Sequence, residues 1–257
     1  MMASTTRRKA ARILLPAAFW LGVWQLLARY VGQELLLPAP AAVARTLAAL
    51  VGREEFWLAA GATLGRIFLG TLAGVVLGVV LAALTSLSPL CDSLFSPAVR
   101  VIRATPVASF IVLVLLWVRT GRVPAVISAL MVLPVVWGNL SRGVREIDGG
   151  LLEMARAYRF GRLKTLRLVA VPSVLPYFAS GCQTALGLSW KAGVAAEVLC
   201  RPGHAIGTQV YFSKINLESP DLFAWTLVVI LFSMALEKGL AALLRRAQGR
   251  FAERGEL

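Results

Sequence analysis

Two ionisable residues stand inside an otherwise apolar stretch, Lys191 and Glu197 in Ser189-Trp-Lys-Ala-Gly-Val-Ala-Ala-Glu197. A charge in such a setting is costly and marks either a functional group or a paired one. Six residues along a helix turn their side chains roughly 240° apart, so a direct pair within the helix is disfavoured. Each then faces a cavity, another helix, a second copy of the chain, or water near the segment's outer end. Lys191 has the charge to attract an anion, and the alternative is a structural charge bonded to a neighbouring helix. Arg66 near the end of another apolar segment reads as a side chain snorkelling to headgroups. Asn139 suits a helix cap or an interhelical hydrogen bond.

The remaining reactive types do not assemble into a catalytic set. Cys91, Cys182 and Cys200 form no Cys-x-x-Cys, and the lone histidine, His204, sits in a loop, so metal-site spacing is absent. Asp92, Asp148 and Asp221 fall in loops or at segment edges, and no Ser–His, paired-Asp or His-Glu-x-x-His arrangement lies within an apolar segment. Gly161-Arg-Leu-Lys-Thr165 lacks the spacing of a phosphate-binding Gly-x-x-x-x-Gly-Lys-Ser/Thr loop. The chain therefore reads as neither an intramembrane enzyme nor a nucleotide hydrolase.

The elements that position these residues follow from composition. Of 257 residues, 58% are hydrophobic and 16% charged, with a mean hydropathy of +0.74. Soluble domains carry roughly a quarter charged residues. Six apolar segments approach the roughly 20 residues that cross a bilayer: about 13–31, 62–84, a stretch within 97–118, 123–140, 174–199 and 222–244. The expected class is an all-α integral membrane protein, one transmembrane domain over 13–245 between tails at 1–12 and 246–257. Arg7, Arg8 and Lys9 precede the first segment, and Ala42-Val43-Ala44 resembles a signal cleavage site, but it lies well past the apolar run, which favours a retained helix. Pro106 is expected to bend or break the third segment.

The net charge of +14 reflects insertion topology rather than nucleic-acid binding, since no basic stripe is interleaved with exposed aromatics. With both termini cytoplasmic, most Lys and Arg fall inside, in the N-terminal cluster, the loop near Arg142–Arg167 and the C-terminal tail. The excess of Arg over Lys, with abundant Ala, Leu and Gly, suggests a GC-rich prokaryotic genome. Trp20, Trp24, Trp57, Trp117, Trp137 and Trp225 lie mostly near segment ends, as interfacial anchors do.

In the second segment Gly61 and Gly65 are four apart, as are Gly70, Gly74 and Gly78. That spacing lets a second backbone approach closely. The inner loop over about 141–171 is too polar to cross the membrane. Leu151, Leu152, Ala155 and Tyr158 in it recur at helical spacing, with Glu153, Arg156 and Arg159 on other faces. Gly149 and Gly150 before it and Gly161 after it read as punctuation. Such a helix rests on lipid headgroups or inserts into a groove of a cytosolic partner, and the pattern alone leaves both open.

The stretch from Glu153 to Pro172 resembles the EAA loop of ATP-binding-cassette importer permeases. Glu153 and Ala155 match its first and third positions, with Met154 between them. Val169, Val171 and Pro172 fall on its terminal Ile-x-Leu-Pro. Arg159 occupies the motif's glycine position. Arg103-Ala-Thr-Pro106, Pro134-Val-Val-Trp-Gly-Asn139, Leu175-Pro176-Tyr177-Phe178 and the segment from Ser189 to Glu197 extend the resemblance to the nitrate, sulfonate and taurine branch over about residues 60–245.

The resemblance implies a type I importer permease fold, multi-pass in the prokaryotic plasma (inner) membrane. Its coupling helix, carrying Glu153, Met154, Ala155, Arg156, Arg159 and Gly161, would dock on a separate dimeric ATPase. ATP and Mg belong to that partner, and no cofactor is expected on this chain. A second copy of the chain, an extracytoplasmic solute-binding protein and membrane lipid are the other expected partners. Trp190, Lys191, Glu197 and Asn139 become candidates for a translocation path, and a small anion such as nitrate, a sulfonate or taurine the expected cargo. A vitamin precursor or another small polar solute is the alternative. An ion-coupled carrier is disfavoured, because no internal inverted repeat is visible.

Overall fold

In hydrocarbon every backbone polar group must be bonded within its own segment, so long apolar runs fold as helices. The computed structural model describes residues 3–255, with side chains described over 15–246. The basic residues Arg7, Arg8, Lys9 and Arg250 of the tails thus have side chains outside the described residues.

Among the described residues, all regular structure is helical. The order is α1 (Ala3–Val31), α2 (Pro40–Val51), α3 (Glu54–Leu87), α4 (Pro89–Ala104), α5 (Val107–Leu115), α6 (Val123–Arg145), α7 (Gly149–Ala157), α8 (Arg162–Thr165), a π-helical turn (Leu166–Ala170), α9 (Val171–Cys200), α10 (Ile206–Ile215) and α11 (Ser219–Gly255).

Among the described residues, three helices are by length and composition apolar enough to cross a membrane: α3, α6 and α11 over Ser219–Arg246. Together α4 and α5 make a fourth only as a pair bent by 105°. The break falls at Thr105 and Pro106, because the ring restricts the preceding residue to the extended conformation that Thr105 adopts, with φ −78° and ψ 132°. At 30 residues α9 is long enough, but Gln183, Thr184, Lys191 and Glu197 dilute its apolar character. It packs mainly against α6, and also against α3.

The α3–α6 contact is set by missing side chains. A Cβ on Gly70 would lie 2.1 Å from the Ala125 carbonyl oxygen, one on Gly74 2.6 Å from that of Ala129, and one on Gly78 3.0 Å from that of Leu133. The seam therefore forms as its spacing predicts. Gly61 and Gly65 do not extend it, since a Cβ on either would meet open space. Gly193 of α9 closes the triad, where an added Cβ would sit 2.6 Å from Ile67 and 2.8 Å from the Ser128 hydroxyl.

Polar side chains crosslink these helices internally. The Thr71 hydroxyl donates to Ser189 Oγ at 2.8 Å and the Ser128 hydroxyl to the Ser189 carbonyl at 3.2 Å. Near the α9–α10 connection, α2, α3, α10 and α11 share a core in which Phe56 stacks on Trp225 with ring centroids 5.2 Å apart. Interfacial anchoring is thus not the role of every tryptophan. Trp225 is buried, and the indole of Trp137 donates to Thr85 Oγ1 at 3.0 Å. Trp20, Trp57 and Trp117 are exposed.

Candidate functional site

Three places hold the residues singled out by the sequence: the 141–171 loop, a cavity opening between α4, α5, α6 and α9, and a buried polar knot at the C-terminal end of α9.

The loop folds as α7, capped by Asp148, whose Oδ1 accepts from the Gly150 N–H at 2.8 Å. Gly149 and Gly150 therefore form the first turn of the helix rather than preceding it. The helix stops at Arg159, which is left-handed at φ 51°. The Phe160 N–H donates to the Ala155 carbonyl at 2.8 Å, and the Arg159 N–H to that of Arg156 at 2.9 Å. These two bonds define a Schellman stop, whose left-handed position favours glycine. The stop glycine expected at Gly161 is thus displaced. Gly161 has an ordinary φ of −65° and leads into α8.

Inside α7 only Ala155 is fully covered, at 2% exposure, and α7 packs against the π-helical turn. Leu151, Met154 and Tyr158 are exposed. They lie at i, i+3 and i+7 and form an apolar stripe that its own chain covers only in part. Glu153, Arg156 and Arg159 are exposed beside it. Val169 is buried, while Pro172 lies where the π-helical turn passes into α9, so its missing N–H interrupts the hydrogen-bond ladder there.

The cavity has a volume of about 470 Å³ and is lined by Arg103, Thr105, Val107, Pro134, Asn139, Arg142, Thr184 and Leu188, among others. The α4–α5 break supplies one wall, the inner half of α6 another and the middle of α9 a third. Asn139 donates to the Val135 carbonyl of its own helix at 2.8 Å, so it makes no bond between helices. Lys191 is exposed. It lies three and seven residues beyond Leu188 and Thr184, on the same face of α9.

The polar knot centres on Glu197, which is 0% exposed. Its Oε1 accepts from Arg66 at 3.2 Å, and its Oε2 accepts from the Thr63 hydroxyl at 2.8 Å and the Gly207 N–H at 3.2 Å. Thr63 Oγ1 in turn accepts from the Ile206 N–H at 2.9 Å. The Arg66 guanidinium also donates to the carbonyls of Gly203 at 2.7 Å and His204 at 3.1 Å. Arg66 is therefore not a snorkelling residue but the clamp of the α9–α10 connection. The knot ties α3 to α9 and to the start of α10, and only the backbone of His204 takes part.

The four path candidates are not brought together. Asn139 lines the cavity, and Lys191 is exposed farther along the same α9 face. Glu197 is enclosed in the polar knot. Trp190 is buried at 1% exposure, its indole donating to the Val229 carbonyl of α11 at 3.0 Å. Neither Glu197 nor Trp190 has the exposure that lining a path requires. Arg103, Arg142, Thr105 and Thr184 do line the cavity, and sequence reasoning passed over them as path residues. Arg103 beside the Pro106 break was the available signal.

Comparison with known proteins fits this architecture. Residues 74–248 match the family described as binding-protein-dependent transport system inner membrane component. The chain is 26% identical over 230 residues to the taurine transport system permease protein TauC of Escherichia coli (strain K12), covering 87% of this chain and 83% of that protein. It is 27% identical over 209 residues to the putative aliphatic sulfonates transport permease protein SsuC of Bacillus subtilis (strain 168), covering 79% and 75%. The fold resembles the crystal structure of an amino acid ABC transporter with histidines, at a TM-score of 0.57 and 18% identity, over 73% of this chain and 90% of that one. The chain belongs to the binding-protein-dependent transport system inner membrane components, as an ABC importer permease of the nitrate, sulfonate and taurine branch.

Proposed function

We propose that this chain is the membrane half of an ATP-driven importer of small anions, joined through α7 to a separate ATPase subunit. The observation that carries the reading is the half-exposed apolar stripe of Leu151, Met154 and Tyr158 on a short, capped helix. Anchors at i, i+3 and i+7 are how an amphipathic helix enters a groove. Arg156, Arg159 and Arg162 beside it suit an acidic rim on that partner. ATP and Mg are held by the partner, and this chain converts the partner's closure into movement of its own helices.

Two copies of the chain enclose the pathway, with both termini in the cytoplasm and a solute-binding protein delivering cargo from outside. The anionic cargo is supported by the relatives above, named for transport of aliphatic sulfonates and of taurine, which bears a sulfonate group, and by Lys191 exposed on α9.

Affinity purification of the tagged chain from its native membranes, with mass spectrometry of what accompanies it, tests the reading. An ATPase recovered with the chain and lost on Met154→Asp is the expected result. Reconstituted vesicles then accumulate labelled taurine or ethanesulfonate only with ATP. Recovery without an ATPase, or uptake indifferent to ATP, overturns it.

A further inference from the structure

We propose that the cavity between the α4–α5 break, α6 and α9 is a binding site for a small oxyanion, held by Arg103 and Arg142 in the inner half of the membrane domain. The inference rests on the small-anion reading of the cargo and adds to it a site within this chain.

Donor accounting carries the argument. The Thr105 and Thr184 hydroxyls donate to the carbonyls of Val101 at 2.8 Å and Ser180 at 3.1 Å, so their protons are not available to a ligand. One amide hydrogen of Asn139 is used on Val135, leaving the other. The two guanidinium groups have no hydrogen-bond or ion-pair partner among the described residues, where Arg66–Glu197 is the one ion pair. Glu146, one turn beyond Arg142, accepts instead from the Tyr177 hydroxyl. A cavity wall with two unpaired cations and no carboxylate of its own favours an anion.

The broken helix adds a third donor set. α5 begins at Val107 with no side-chain cap. Ser109 and Phe110 already bond back to the Pro106 carbonyl, which leaves the Val107 and Ala108 N–H groups as free N-terminal donors. Thr105 and Val107 both line the cavity, so the positive end of α5 opens there. Nonhelical backbone at membrane depth is tolerated where it borders a polar cavity, which accounts for the break. Planar guanidinium groups suit two-point contact with sulfonate, nitrate or carboxylate oxygens. The same chemistry would take the phosphate of an anionic lipid headgroup, and the test separates the two sources.

The test is cysteine modification at Thr184→Cys in the full chain, with Cys91, Cys182 and Cys200 replaced by alanine, in phosphatidylcholine nanodiscs. The probes are methanethiosulfonates carrying either a sulfonate or a trimethylammonium group, each normalised to its rate with a free thiol. The sulfonate reagent is expected to react at least about tenfold faster, as a focused positive field predicts. Arg103→Gln with Arg142→Gln should abolish that preference, and Arg142→Lys should keep it. Free ethanesulfonate should slow the reaction. Should Thr184→Cys not fold, Leu188→Cys reads the same wall.

Equal rates, preference for the cationic reagent, or no reaction at either position overturns the site. So does protection by added phosphatidylglycerol without protection by ethanesulfonate, which assigns the arginines to lipid. None of these readouts involves ATP. A failed charge preference beside intact ATP-driven anion uptake therefore removes the site alone, and intact preference without an ATPase partner removes the importer reading alone.

Discussion

Arg66 and Glu197, 131 residues apart in sequence, meet at 3.2 Å with the carboxylate wholly enclosed and the guanidinium part-exposed. The carboxylate satisfies three donors from two other helices, Thr63 and Arg66 of α3 and Gly207 of α10, and the guanidinium closes the α9–α10 connection by binding two of its carbonyls. A buried carboxylate with this many partners is a crosslink, and its loss leaves donors stranded.

Glu197→Ala is expected to destabilise the chain by about 3 kcal/mol, the range for breaking one side of a buried pair. Glu197→Gln keeps an oxygen for Thr63 and Gly207 but turns an amide NH2 toward Arg66 in place of the accepting oxygen, so it should cost less than alanine without being neutral. Arg66→Met combined with Glu197→Gln should recover part of the loss. A double-mutant cycle on denaturation in detergent measures this, and strictly additive losses would show that the two residues do not interact.

Arg159→Gly should stabilise the end of α7. Arg159 holds the left-handed stop of the helix, where a Cβ costs about 1 kcal/mol. Amide hydrogen exchange across residues 149–161 should slow about fivefold, the equilibrium factor that corresponds to that energy. Gly161→Ala at an ordinary φ should leave exchange at this stop unchanged. Equal effects at both positions would remove Arg159 from the role.

Gly70→Ala and Gly74→Ala should each destabilise the α3–α6 seam by about 1–3 kcal/mol, as overpacking against fixed backbone does. Gly61→Ala and Gly65→Ala meet open space and gain helix propensity, so they should be neutral or slightly stabilising. Thermal unfolding of the four variants in one detergent gives the comparison. Similar shifts for all four would mean that the close approach at Gly70 and Gly74 is not what holds the helices.

Tyr158→Ala and Leu151→Asp should reduce ATPase recovery in the purification while leaving the chain's unfolding temperature near that of the parent, because both side chains are exposed. Ala155→Asp behaves differently. Ala155 is covered by its own chain, so a carboxylate there disturbs the loop before it touches any partner. Its loss of coupling would be accompanied by altered exchange in α7.

The sequence made helix identity and the α3 seam legible, because apolar length and i, i+4 small residues act locally. It did not show where the seam ends, since Gly61 and Gly65 share the spacing but face no neighbour. The break at Pro106 was readable from proline chemistry. The convergence of Arg103 and Arg142 on that break was not, because it depends on how α4 folds back beside α6. Glu197 was visible as an anomaly, but its partner lies on another helix, and no periodicity within α9 points to Arg66. In the loop, composition points to Gly161 as the stop, whereas the motif's glycine position falls on Arg159, whose backbone takes the left-handed turn despite its side chain. The stripe of Leu151 and Tyr158 was legible as spacing, whereas its outward direction was not. Only the burial of Ala155 fixes which face is free.

The π-helical turn at Leu166–Ala170 runs directly into α9, and α8 runs directly into the turn, so no loop interrupts the chain from Arg162 to Cys200. A rod of that length spans about 58 Å at α-helical rise. One end stands next to the helix that carries the free apolar stripe, and the other holds Glu197, which grips Arg66, Thr63 and the start of α10. The end beside α7 and the end that holds Glu197 are therefore joined by one unbroken run of helical residues rather than through a series of separate helices.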